Sequence, residues 1–256
     1  MDRLSQWLFY SSLVALAVLL LRFILNRLFK TYRFLFGYFA AVLAGGLVIA
    51  RIPYRSTAYG WAFMIAELLI HILAILAVLE MYRIALVGHA GLAEFGRASI
   101  LVATVLAVSV AAAISLADQD IPKGQSTAFH WFLTLQRSCD LILVVFLVLI
   151  ALFITWFPVE MSKNTALCIA GFSVVFFVRA GVILAANILP RRNLPVVNNA
   201  AMIFETVITI AWAAAVRPEK AREQVIPGHF WDPGDMDRLS DQLDSINATL
   251  ARFVRH

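Results

Sequence analysis

Charged side chains are scarce. Lys, Arg, Asp and Glu supply 14% of the 256 residues, against roughly 25% in an ordinary soluble domain. With 62% of the residues apolar, too little polar side chain remains to cover a water-facing surface, which excludes a soluble globular fold. Only two cysteines occur, Cys139 and Cys168, both within apolar runs; they exclude a disulfide framework and say nothing about redox compartment. Among His71, His89, His130, His229 and His256 only His71 is deep in an apolar run, and no His-x-x-x-His pair exists. That removes a membrane zinc hydrolase, and it removes a haem held between two histidines. Lys30, Lys123, Lys163 and Lys220 all lie in loops or flanks, so no lysine stands where a retinal Schiff base would need one. No glycine-rich phosphate loop, nucleophile elbow or Cys-x-x-Cys appears. The expectation is a protein with no enzyme activity, metal or cofactor. The formal net charge of +5 reports orientation in a membrane chain, not a nucleic-acid partner.

What the chain does have is apolar runs of bilayer length. Runs near 7–25, 34–50, 59–79, 98–117, 131–156, 164–189 and 196–216 are each about 20 residues, enough to cross a hydrocarbon core of ~30 Å. They predict an all-α polytopic bundle of seven transmembrane helices over residues 1–216, with the lipid bilayer as its first partner. The first run is too long for a signal peptide and is followed by Arg22, Arg27, Lys30 and Arg33, so it is expected to stay. One side of the predicted bundle holds Arg3, Arg51, Arg55, Lys123, Arg191 and Arg192. The other holds Arg22, Arg27, Lys30, Arg33, Arg83, Arg97, Lys163, Arg217, Lys220 and Arg222. The positive-inside rule then places the amino terminus outside and the carboxyl tail in the cytoplasm. Trp7, Tyr54, Tyr59, Trp61 and Trp131 fall at the predicted outer boundary, and Tyr32, Tyr82, Trp156 and Trp212 at the inner one, as aromatic belts would.

Two ridges of small residues, Gly37/Ala41/Gly45 and Ala103/Ala107/Ala111, recur at four-residue spacing and are expected to be packing seams. The candidate site comes from charges inside the runs: Glu67, His71, Arg137, Asp140, Arg179 and Glu205. A charge at the bilayer centre costs ~2.5–3.5 kcal/mol, so these six must meet one another or water. At ~1.5 Å per residue from the outer ends, Glu67 and Arg137 lie roughly 9 Å deep and the other four roughly 13–15 Å deep, in one slab. Glu67/His71 and Arg137/Asp140 are spaced to share a helix face. Three carboxylates against two guanidiniums leave one negative charge, balanced by a protonated His71, a protonated carboxyl or a bound cation. Gln136, Asn187, Asn198, Asn199 and Thr206 add hydrogen-bonding capacity toward the outer half. The expected result is a polar ligand-binding cluster open to the outside, and an ion-pair network that only fixes helix positions is the alternative.

The stretch Glu80 to Arg97, E-M-Y-R-I-A-L-V-G-H-A-G-L-A-E-F-G-R, resembles one in uncharacterised bacterial seven-span inner-membrane proteins. The likeness covers mainly the second to fourth spans and implies topology without an activity. Read by itself, the stretch is an interface anchor in which Glu80 pairs with Arg83 and the glycines turn the chain.

After Arg217 the composition changes. Pro218, Pro227, Gly228, Pro233 and Gly234 keep residues 217–234 an irregular linker. Residues 235–256 then read as a cytoplasmic amphipathic helix, with Met236, Leu239, Leu243, Ile246, Leu250 and Phe253 at alternating spacings of three and four, the seam of a coiled coil. So short a helix needs a surface to cover its stripe. Leu239, Leu243, Ile246, Leu250 and Phe253 are candidates for packing on the bundle itself, for self-association or for another subunit. Function is expected to be that of a non-catalytic membrane component, receptor-like or an accessory subunit. A transporter or channel for a small ion or charged solute is the alternative.

Overall fold

A computed structural model describes residues 3–53, 56–86, 105, 109, 127–156, 161–188, 193–218, 224–225, 238 and 241–249. Among these, almost everything is helical. Helix α1 covers Arg3–Leu25, α2 Arg33–Arg51, α3 Thr57–Ala85, α4 Thr127–Trp156, α5 Lys163–Ile188 and α6 Leu194–Ala215; a 3-10 turn, Leu28–Lys30, joins α1 to α2. Five of these helices are long and apolar enough to span a membrane: α1, α2, α3, the Lys163–Val182 part of α5 and the Pro195–Ala215 part of α6. In α4 the corresponding apolar stretch is the shorter Ser138–Leu152. The fourth run of the sequence, with its Ala103/Ala107/Ala111 ridge, lies outside the described residues except for Val105 and Ser109, both helical; the Ser109 hydroxyl donates to the Val105 carbonyl at 2.8 Å.

Each helix packs on its described neighbours in chain order, α6 closes on α1, and α3 also touches α5 across the ring. Outward faces carry apolar side chains at helical spacing, such as Val14, Val18, Leu21 and Leu25 on α1 and Ile203, Val207 and Ile210 on α6. Such surface suits lipid, where every helix already satisfies its own backbone. The glycine ridge of α2 is a packing seam, as expected. A Cβ on Gly45 would stand 3.2 Å from the Ala66 Cβ, and one on Gly37 3.5 Å from Leu73, so the absent side chains let α2 and α3 approach closely. Gly46 does the same toward α1, where Leu13 Cδ2 would be 2.7 Å away.

Helix direction follows from paired contacts. Phe63 meets Phe132 at 6.2 Å between centroids, Glu67 meets Gln136 and His71 meets Asp140. Both members of these pairs advance together, so α3 and α4 run parallel. All other sequential neighbours are antiparallel; on α5 and α6, for instance, Asn164 faces Arg217 while Arg179 faces Glu205. Ser5 donates to Asn199 at 2.9 Å, placing the beginnings of α1 and α6 at the same end.

Burial divides the ring along its length. Buried residues occur from Leu13 onward in α1, up to Phe39 in α2, from Ile70 onward in α3, from Asp140 onward in α4, up to Phe176 in α5 and from Trp212 onward in α6. Every one of these segments points to the same end. That end is closed, and among the described side chains the opposite half contains no buried residue.

The closed end is tied by specific hydrogen bonds. Helix α2 has no side-chain cap from its own N-cap residue, Tyr32. Instead the Glu80 carboxylate, from the last turns of α3, accepts from the Arg33 N–H at 2.7 Å, Phe34 at 2.9 Å and Leu35 at 3.2 Å. This satisfies three of the four orphan donors of that terminus and places a negative charge at the positive end of the helix dipole. Glu80 thus caps a neighbouring helix, where the sequence suggested a partner in Arg83. Tyr32 and Trp212 are both 2% exposed and are core residues, not head-group anchors as their positions suggested. The Tyr32 hydroxyl lies 2.8 Å from that of Thr165, and the Trp212 ring fills the space that a Cβ on Gly171 would occupy, 2.8 Å away.

The linker is tied down as well. Asn164 exchanges two hydrogen bonds with the Arg217 backbone, at 2.9 and 3.2 Å. Strand β1, Met161–Ser162, pairs antiparallel with β2, Gln224–Val225. In the tail, residues 241–249 are helical.

Candidate functional site

The polar side chains fall on the inward stripes of their helices, at the boundary between the closed and open halves. On α4 the stripe runs Gln136, Asp140, Leu143, Leu147, Ile150, at spacings of four and three, so the residue below Asp140 is already core. On α3, Glu67 and His71 precede Ala74, Val78 and Met81; on α5, Arg179 follows Phe172 and Phe176; on α6, Glu205 lies two turns before Trp212. Of the six predicted site residues, the structure brings five together. Arg137 is on α4, and its side chain lies outside those described.

His71 and Asp140 form the buried part of the cluster, with side chains 7% and 5% exposed. His71 Nδ1 lies 2.7 Å from the Glu67 carbonyl oxygen, which can only accept, so Nδ1 carries a hydrogen and donates it. His71 Nε2 lies 3.0 Å from Asp140 Oδ1. Two lone pairs do not meet at that distance, so one more proton sits between them. It resides on the ring, giving imidazolium against carboxylate, or on the carboxyl, giving two neutral groups. Both arrangements sum to zero charge, and the pair meets the requirement that buried charge be matched.

The remaining groups are more open. Glu67, 17% exposed, lies 3.7 Å from His71 Nδ1 and accepts from the Gln136 amide at 3.3 Å. Arg179 and Glu205, 22% and 30% exposed, approach at 3.7 Å through a single Nε–Oε1 contact. That distance is within ion-pair range and too long for a hydrogen bond. The guanidinium carbon lies 5.8 Å from the Phe176 ring centroid, a cation–π contact. Among the described residues, the two terminal guanidinium nitrogens have no hydrogen-bond or ion-pair partner. Exposure thus rises from Asp140 through Glu67 to Glu205.

The sequence reading passed over Tyr38, the only hydroxyl between Arg33 and Arg51. Its buried ring packs edge-on against Phe172 at 5.0 Å and tilted against Phe176 at 6.2 Å. Its phenol, with Glu67, Asp140 and Glu205, lies within electrostatic range of Arg179, so the two halves of the cluster share one field. Being a single polar group in an apolar run was the available signal. Of the neutral residues expected to assist, Gln136 does so, Asn199 instead holds α1 to α6, and the Thr206 hydroxyl turns back to the Met202 carbonyl at 2.7 Å.

Of the tail residues, Leu243 is 2% exposed and belongs to the same core cluster, and Ile246 is 41% exposed. Leu239, Leu250 and Phe253 lie outside the described residues. Both cysteines are free thiols, Cys168 buried and Cys139 partly so. No protein family, curated protein or solved structure matches the chain.

Proposed function

We propose that the chain is a non-catalytic integral membrane protein, receptor-like or an accessory subunit, whose polar intramembrane cluster opens toward the outer side. One observation carries this reading: the ionisable side chains collect at the level where the buried residues end, and Glu67, Arg179 and Glu205 keep 17%, 22% and 30% exposure there.

The orientation belongs to the same proposal. Arg22, Lys30, Arg33, Arg83, Lys163 and Arg217 lie at the closed end, and Arg3 and Arg51 at the open end, which supports a cytoplasmic closed end and an outside amino terminus in a bacterial inner membrane. The count of seven spans is supported by α3 and α4 running parallel, because the chain between them must return across the bundle, and residues 98–117 offer the apolar run to do so. Burial of Leu243 supports a tail that docks on its own bundle, with the more exposed Ile246 left for a second copy or another subunit.

Labelling from outside tests the proposal. In a C139A/C168A background, E205C is expected to react with a membrane-impermeant thiol reagent applied to the outer face, and A77C in the closed half to stay unreactive. Equal reaction at both, or E205C reacting only from the cytoplasmic face, would remove the outward opening.

Transport of a small ion or charged solute is the second reading, favoured by the proton held between His71 and Asp140 at the floor of the open half. Against an open pore stands the aromatic packing of Tyr38, Phe172, Phe176 and Trp212 below it. Ion or solute uptake by proteoliposomes above that of empty vesicles would establish the second reading over the first.

A further inference from the structure

Resting on the outward opening proposed above, the Arg179–Glu205 pair has chemistry of its own. In a well-made arginine–carboxylate pair two parallel N–H···O bonds form at about 2.7–2.9 Å. Here one Nε–Oε1 approach at 3.7 Å is all there is. Arg179 has both terminal nitrogens without a partner among the described residues, and its contact with Phe176 consumes no N–H donor. Glu205 accepts no hydrogen bond from any described residue; the Thr209 hydroxyl donates to its backbone carbonyl instead. Glu67 lies within electrostatic range of Glu205 and of Arg179. Its carboxylate is held from one side only, by Gln136 and His71. An unsaturated guanidinium fork therefore stands beside the unsaturated Glu205 carboxylate, with that of Glu67 within electrostatic range of both.

We infer that this constellation binds a small zwitterion, its carboxylate on the terminal nitrogens of Arg179 and its ammonium between Glu205 and Glu67. The class follows from donor and acceptor count: the free guanidinium nitrogens suit a carboxylate and the free carboxylate oxygens an ammonium, and a zwitterion brings both, so that each charge it buries meets a partner. Each end of the zwitterion also replaces the weak Arg179–Glu205 contact by charge-assisted hydrogen bonds at normal length. The closed half beneath, lined by Phe172, Phe176 and Tyr38, sets the floor on which the bound molecule rests.

The full chain in lipid nanodiscs, monitored by the unfolding temperature from tryptophan fluorescence, tests this. The probes are L-alanine, L-leucine and L-glutamine, each with its methyl ester, which keeps only the cation, and its N-acetyl form, which keeps only the anion. At least one free amino acid is expected to raise the unfolding temperature with a saturable dose response, and both of its blocked forms to need about tenfold higher concentration or more. R179Q should shift the half-saturating concentration of that amino acid by about tenfold or more, and R179K by less, because it keeps the charge without the fork. Blocked forms as effective as the free amino acid would overturn the inference. So would silence from all three amino acids up to about 50 mM. If E205C still labels from outside in that case, only the ligand class fails; if it does not, the outward opening itself has failed.

Discussion

Replacing Glu80 by glutamine removes a charge and leaves the volume unchanged, which isolates what that carboxylate does at the start of α2. Three N–H groups of the first turn depend on it, at 2.7, 2.9 and 3.2 Å, and the residue before the helix gives no cap. A glutamine carbonyl oxygen can still accept from one or two of them, while its NH2 faces donors with nothing to accept. Hydrogen bonds to a charged acceptor are worth about 1.5–3 kcal/mol each in buried settings, and whole N-caps about 0.5–2 kcal/mol. Because Glu80 is only partly buried, the lower scale governs, and E80Q is expected to cost about 2 kcal/mol. The measurement is reversible unfolding in mixed micelles titrated with a denaturing detergent. Amide hydrogen exchange should show faster exchange confined to Arg33, Phe34 and Leu35. The control is R83A: an i,i+3 surface pair is worth about 0.5 kcal/mol or less, so if capping is the role, R83A leaves stability nearly unchanged. An E80Q variant within about 0.5 kcal/mol of wild type, or an R83A loss equal to that of E80Q, would refute the capping account.

Other perturbations separate tight from loose regions. G171A is expected to destabilise by about 1–3 kcal/mol, because its Cβ would stand 2.8 Å from Trp212 Cε3 and 2.9 Å from Cδ2, an overpacked contact; G60A, with nothing within 4 Å, should be neutral or stabilising by up to about 0.5 kcal/mol. The two unfolding midpoints measured side by side check the pair, and equal effects would mean that Trp212 does not sit where described. A double-mutant cycle on H71Q and D140N should give a coupling of about 1–3 kcal/mol, for a buried pair at 3.0 Å. The same cycle on R179Q and E205Q should give less than about 1 kcal/mol, since that contact is longer and partly exposed. A reversal of that order would contradict the placement of the sealed and open parts of the cluster.

Five of the spanning runs, and the meeting of the charges, were legible because both follow from the bilayer's dimensions: runs of about 20 residues, and charges that cannot stand alone. Glu67 with His71 on one face was legible from spacing alone, and so was the glycine seam of α2. Which helix each charge would meet was not. The His71–Asp140 contact depends on α3 and α4 running parallel as neighbours, and no local pattern encodes that. Glu80 was read against Arg83 because the sequence supplies only partners on the same helix, whereas its actual partners are backbone N–H groups on another helix. Tyr32 and Trp212 were assigned to the membrane boundary by type and position, yet both are core residues at the closed end, where Thr165 and Gly171 leave them room.

The position of the cluster along the ring has a physical reason. Below it, Tyr38, Phe172 and Phe176 stack with centroids 4.8–6.2 Å apart, and a charge placed among them would lose its hydration with no partner to replace it. Above it no described side chain is buried, and a charge there would interact through a medium that screens it. The boundary is the one level at which an ionisable group can keep one side against fixed partners and the other toward solvent. Asp140 and His71 take the inner position because, sharing a proton, they are neutral as a pair and tolerate sealing. Arg179, Glu205 and Glu67 have no such arrangement among the described residues, and they keep the greater exposure. The order of exposure along the cluster is therefore the order in which these groups can bear the loss of water, and the groups that bear it least are the ones left with hydrogen-bonding capacity to offer a ligand.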